Sequence, residues 1–131
     1  MHKELFDDIF ERQIHLCEEK LLAKREEYAP DHDVLHNFKV AAELQKETPR
    51  QALAGMMAKH TVSIFDMACS NEHFTLDQWD EKLTDHINYL IILSAIIQEE
   101  DELRLIGATP DPFLMNTHTL SAANPKYTER V

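Results

Sequence analysis

Two glycines in 131 residues are the tightest constraint on what this chain can fold into. A sheet of many short strands needs a tight turn every few residues, and tight turns draw on glycine and proline. With only two glycines and five prolines the chain lacks that punctuation. Alanine, leucine, glutamate, lysine, glutamine and methionine, all good helix formers, are plentiful instead. The hydrophobic share of 44% is enough for one core at this length and argues against a disordered chain. The expected fold is all-α: one four-helix bundle-like domain over residues 1–104, followed by an irregular tail over residues 105–131.

Four segments carry helical periodicity. The first runs from about Lys3 to Tyr28, with Leu5, Phe6, Ile9, Phe10, Ile14, Cys17 and Leu21 recurring at helical spacing and Pro30 beyond its end. The second spans about Asp31 to Lys46, with Asp31 or Asp33 as its cap. The third starts at Thr48-Pro49, a favoured N-cap followed by a proline whose missing donor costs nothing there, and runs to about Cys69. The fourth begins at Thr75, whose Thr-x-x-Gln spacing to Gln78 reads as a capping box, and runs to about Glu100. The short connection after Cys69 makes the last two helices antiparallel neighbours. Beyond Arg104, Gly107, Pro110, Pro112 and Pro125 break the pattern, while Leu114, Met115 and Leu120 offer apolar contacts to the core or to a partner.

The formal charge of −11 makes the chain a poor general nucleic-acid binder, since such binding depends on neutralising phosphates. Lys20, Lys24 and Arg25 form the one dense basic patch. Cys17 and Cys69 lack metal-ligand spacing and read as small buried residues of a reducing compartment. Residues 1–8 carry no apolar run of the signal-peptide kind, and the longest uncharged apolar run, Tyr89 to Ile97, is too short to cross a bilayer. A cytoplasmic location, away from membranes, is expected.

Three polar clusters carry candidate chemistry. On the fourth helix, Leu76, Trp79, Leu83, Ile87 and Leu90 form an apolar stripe, and Glu81, Asp85 and Asn88 fall within about 60° of each other on the opposite side. The ordinary reading of the trio is a solvated face. Against it, Ile92 and Ile96 continue the same side, so the trio stands at the edge of a second buried surface. Carboxylates there suit a hard cation such as Mg²⁺, which takes oxygen ligands and bridges phosphates. The third helix carries Lys59, Ser63 and Asp66 on one face, a pattern that is usually surface decoration. His60 falls on the stripe of Leu53, Met56, Met57, Ile64 and Met67, where a satisfied core histidine is the commoner outcome than a ligand. On the first helix, Leu5, Ile9 and Leu16 share a side with Lys20, Lys24 and Glu27. Either the helix outgrows the core, or its last two turns line a polar pocket in which lysines meet phosphates and Glu27 meets a metal.

Other chemistries lack their residues. There is no Gly-x-x-x-x-Gly-Lys-Ser/Thr loop, no Gly-x-Ser-x-Gly elbow and no His-Glu-x-x-His pair. His32 and His36 stand one helical turn apart without a third ligand in view.

Lys24-Arg25-Glu26-Glu27-Tyr28, then Asn37-Phe38, then Ala58-Lys59-His60 through Asp66, then Asp85-His86-Ile87-Asn88-Tyr89-Leu90 follow one order. That series resembles the small helical proteins of phages and prophages that are grouped with nucleotide-modification genes. These in turn are similar to the all-α nucleoside triphosphate pyrophosphohydrolases of the MazG type. The resemblance covers about residues 15–98. It implies a homo-oligomeric helical bundle in a bacterial host cytosol, acting on a (deoxy)nucleoside triphosphate with Mg²⁺ held by acidic side chains. Carried over by position, Asp85, Asn88 and Glu27, joined by Asp66, are the implied metal ligands. Lys59 and Lys24 are the expected phosphate contacts, and His60, Glu81 and Tyr89 the other pocket residues. The pattern departs from the MazG type in having no Glu-x-x-Glu on the second and third helices and in placing Asn88 where a carboxylate stands. The alternative expectation is a non-catalytic helical phage protein that binds another protein.

Overall fold

The computed structural model describes residues 1–28 and 33–108, without the side chains of 26–28. Among these residues the chain is all-α and contains no strand. Pro30, Asp31, His32, the tail from 109 onward with Leu114, Met115 and Leu120, and the side chain of Glu27 lie outside the described residues.

Four helices follow in order: α1 (Lys3–Tyr28), α2 (His36–Gln45), α3 (Pro49–Cys69) and α4 (Leu76–Leu105). Their starts show how local chemistry sets the boundaries. The Thr48 side chain accepts from the Gln51 N–H, and the Gln51 side chain accepts from the Thr48 N–H. Thr75 and Gln78 make the same reciprocal pair at the start of α4. Each pair satisfies two backbone donors that a helix start otherwise leaves bare. The first of these boxes was legible in Thr48-x-x-Gln51 as well, beside the Thr-Pro signal.

α2 is shorter than its apolar pattern suggests, because residues 33–35 form a turn before it. Asp33 Oδ1 accepts from the Leu35 N–H two residues on, at 2.9 Å, and the Asp33 carbonyl accepts from the His36 N–H. Its far end closes on Lys46 in the left-handed region, φ 56°, with the Glu47 N–H returning to the Ala42 carbonyl. α4 runs past Glu100 to Leu105, since Glu99 to Leu105 contains good helix formers and no breaker before Gly107.

α4 is the central element, packed by α1 on one side and α3 on another, and α2 packs on α3. Arg12 bridges Asp80, Gln13 donates to Thr84 and Asn88 donates to the Cys17 carbonyl, so α1 and α4 run parallel. Arg50 pairs with Glu100 and the His60 ring packs tilted against Tyr89, so α3 and α4 run antiparallel as expected. The core lies where α2, the start of α3 and the second half of α4 meet. Leu53 and Ile96 are fully enclosed there, Leu35 joins them, and Phe38, Met57, Tyr89, Ile92 and Leu93 pack around.

The side of α4 bearing Asp85, Asn88, Ile92 and Ile96 packs inward, as the second buried surface expected there. The Leu76–Leu90 stripe is covered only in part: Leu76 and Leu90 are exposed, while Trp79, Leu83 and Ile87 are half-buried. Neighbouring helices, rather than hydropathy along one helix, decide which side is covered. The cysteines divide likewise: Cys17 is buried and Cys69 is exposed.

Candidate functional site

All four helices and the turn before α2 contribute to one cavity of about 390 Å³. Leu21, Lys24 and Arg25 come from α1, Leu35 and Phe38 from the turn and α2, Met56 from α3, and Asp85, Asn88, Tyr89, Ile92 and Ala95 from α4. Helical pitch explains the set. Leu21, Lys24 and Arg25 lie on one side of the last turns of α1, and Asp85, Asn88, Ile92 and Ala95 lie on one side of α4. The walls are largely apolar, the charged groups gather at the α1–α4 edge, and Asn37 adds an amide from α2.

Asp85 is the carboxylate of this edge, and its charge is matched by two cations. Lys20 Nζ lies 2.7 Å and Lys24 Nζ 3.7 Å from Asp85 Oδ1. The Asp85 side chain is largely enclosed. Burial pushes its pKa up, and the contact with Lys20 and the charges of Lys20, Lys24 and His60 more than reverse that, leaving it below the ordinary 3.8. Asp85 is therefore ionised at neutral pH. Lys24 and Arg25 leave the same edge with positive charge in excess.

Asn88 is 4% exposed. Its Nδ2 donates to the Cys17 carbonyl at 3.2 Å, which fixes the amide plane, and its Oδ1 has no donor. A buried acceptor without a partner costs on the order of 1–3 kcal/mol. Such a cost concentrated beside a cavity is a mark of a binding position. His60 stands next to this edge with its ring centroid 5.0 Å from that of Tyr89. Burial holds its pKa below 6.5, with Asp85 pulling the other way.

The remaining candidate residues disperse. Lys59, Ser63 and Asp66 do share one face, and with Val62, Met67 and Phe74 they line a separate, open depression of about 410 Å³. Asp66 and Asp85 thus line different hollows. Glu81 is exposed and pairs with the adjacent Lys82. The structure therefore brings Lys24, Asp85, Asn88 and Tyr89 together, with His60 against Tyr89. It adds Lys20, expected on the α1 side whose lysines could meet phosphates, and Arg25, legible only as part of the basic patch. Among the described residues, no group of three or more His, Cys, Asp or Glu side chains is arranged to hold a metal ion. No described helix is long and apolar enough to cross a membrane. Comparison with protein-family models, curated proteins and solved structures gave no match.

Proposed function

We propose that the α1–α4 cavity binds a nucleotide, with the base among the apolar walls and the phosphates at the Lys24–Arg25 edge. The observation that carries this reading is the pairing of a half-open, mainly apolar hollow with excess positive charge at a single edge, on a chain that is strongly acidic elsewhere. Its volume falls in the range of small-molecule sites, roughly 300–1,000 Å³. Leu35, Phe38, Met56 and Ile92 offer the apolar surface a base needs. Lysine and arginine supply phosphate contacts as a point charge and a planar fork.

In its finer form the reading is a Mg²⁺-dependent nucleoside triphosphate pyrophosphohydrolase or a nucleotide-binding relative of one. The oxygen donors among the described side chains at the cavity are the Asp85 carboxylate and the amides of Asn37 and Asn88. That suits Mg²⁺ when phosphates and water complete its octahedron. The ion would neutralise the phosphates and polarise phosphorus for attack by water. Asp85 becomes available to it when Lys20 and Lys24 turn from the carboxylate to the phosphates, an exchange that conserves charge pairing. Titration of nucleoside triphosphates with and without Mg²⁺, with released pyrophosphate followed in parallel, tests both levels: binding supports the coarser reading, and pyrophosphate release supports the finer one.

A further inference from the structure

The Asp85 carboxylate stands where an entering anion would seek its cations. Lys20 Nζ and Lys24 Nζ approach the same oxygen, Oδ1, at 2.7 and 3.7 Å. That oxygen is buried, and neither ammonium meets it in hydrogen-bond geometry. The contact is held by charge more than by direction, so its partners can exchange without breaking an aligned bond. The carboxylate side chain is 14% exposed and the two lysine side chains 34% and 40%. The lysines can therefore turn toward a ligand, and the carboxylate cannot follow them. From α3, His60 is held toward its neutral form by burial and does not replace them at neutral pH. Asn88 Oδ1, three residues along α4 from Asp85, is likewise buried without a donor. Two neighbouring oxygens bare of donors are what a hard cation takes.

We infer that Asp85 sets the specificity of the anion subsite: it competes with an entering anion for Lys20 and Lys24, and so favours an anion that brings a cation of its own to the carboxylate. The inference rests on the nucleotide reading of the cavity and narrows its ligand class to di- and triphosphates chelating a divalent cation, over free phosphate esters. Charge pairing decides between them. A free anion that draws the lysines away leaves Asp85 ionised, enclosed and facing a second negative group. A polyphosphate chelated to Mg²⁺ supplies both halves of the exchange, phosphate oxygens for the lysines and a cation for Asp85. Arg25, on the same edge, attracts both kinds of anion alike.

Calorimetric titration of the full chain with inorganic tripolyphosphate and with nucleoside triphosphates, each in EDTA and each in Mg²⁺, tests this. The wild type is expected to bind at least about tenfold more weakly in EDTA than in Mg²⁺. Asp85→Asn keeps the side-chain shape and frees both lysines. It is expected to bind at least about tenfold more tightly than the wild type in EDTA and to gain little from Mg²⁺. Glu81→Gln removes an exposed carboxylate one turn earlier, changes the net charge equally and leaves both affinities unchanged. Equal wild-type binding in EDTA and Mg²⁺ overturns the inference, as does Asp85→Asn binding no more tightly than the wild type in EDTA. Equal tightening by Glu81→Gln also overturns it, assigning the effect to overall charge. Tripolyphosphate binding with the expected responses, but no binding of any nucleoside triphosphate, overturns the nucleotide reading instead. No binding of either probe by any form overturns both.

Discussion

Lys20 Nζ lies 2.7 Å from Asp85 Oδ1, across the edge of the cavity between α1 and α4. The pair explains how a carboxylate can be largely enclosed beside apolar walls and still be ionised. It also ties the stability of the bundle to the charge of its candidate site.

Removing one partner of that pair separates the two effects. Lys20→Ala leaves Asp85 with the more distant Lys24, at 3.7 Å. The expected loss is about 1–3 kcal/mol, between the cost of breaking an exposed pair and that of breaking a fully buried one. Lys20→Ala combined with Asp85→Asn should recover part of it, because the uncompensated charge is gone. Urea denaturation of the single and double variants checks this.

Stability should fall in two steps as pH drops. The His60 imidazole is held below 6.5 in the fold, so the unfolded chain takes up that proton first and stability declines below about pH 6.5. Asp85 is held below 3.8, so its contribution is full above that value and is lost as pH falls through its folded pKa. His60→Phe should remove the upper step and keep the lower one. Thermal melts across pH 3–8, a range spanning roughly the ordinary values of both groups, measure it.

The core is small and therefore sensitive. Leu53 is 0% exposed and packs against Leu35 and Ile96. Leu53→Ala should cost about 2–5 kcal/mol, and Ile96→Val about 0.5–1.5 kcal/mol. Leu90→Ala, at the same chemistry on the outer side of α4, should cost far less. Chemical denaturation gives all three.

Thr48→Ala and Thr75→Ala each remove the side-chain half of a capping box, at about 1 kcal/mol apiece. The sites cap opposite ends of the antiparallel α3–α4 pair, so the double variant should lose the sum within about 0.5 kcal/mol.

Much of this architecture was legible in the residues. Scarce glycine pointed to helices, and Thr48-Pro49 and Thr75-x-x-Gln78 marked two helix starts by chemistry confined to four residues. What could not be read was which side of a helix another helix would cover. The Leu76–Leu90 stripe is the better apolar face by hydropathy, yet it is covered only in part, and the side with Asp85 and Asn88, legible as the edge of a second buried surface, owes its packing to Lys20 and the Cys17 carbonyl from a helix some 70 residues earlier. The same limit governed the candidate site. Lys24, Asp85 and Asn88 were found by position on their own helices and Tyr89 through the resemblance, and all four line one cavity. Lys59 and Asp66 shared a face as expected, but that face lines a different hollow. Asp33, a residue with a cap's chemistry, spends its side chain on a turn and shortens α2.

Calorimetric titration of a panel of nucleoside triphosphates into the full chain, in wild-type form and as Lys24→Ala/Arg25→Ala, is the most direct test of the cavity assignment. The account predicts binding at one site per chain and at least about a tenfold loss in the double variant, with helicity unchanged. It also predicts no loss in Asp66→Asn, which lines the other hollow. Absence of binding across the panel, or equal binding by the wild type and the double variant, would contradict it.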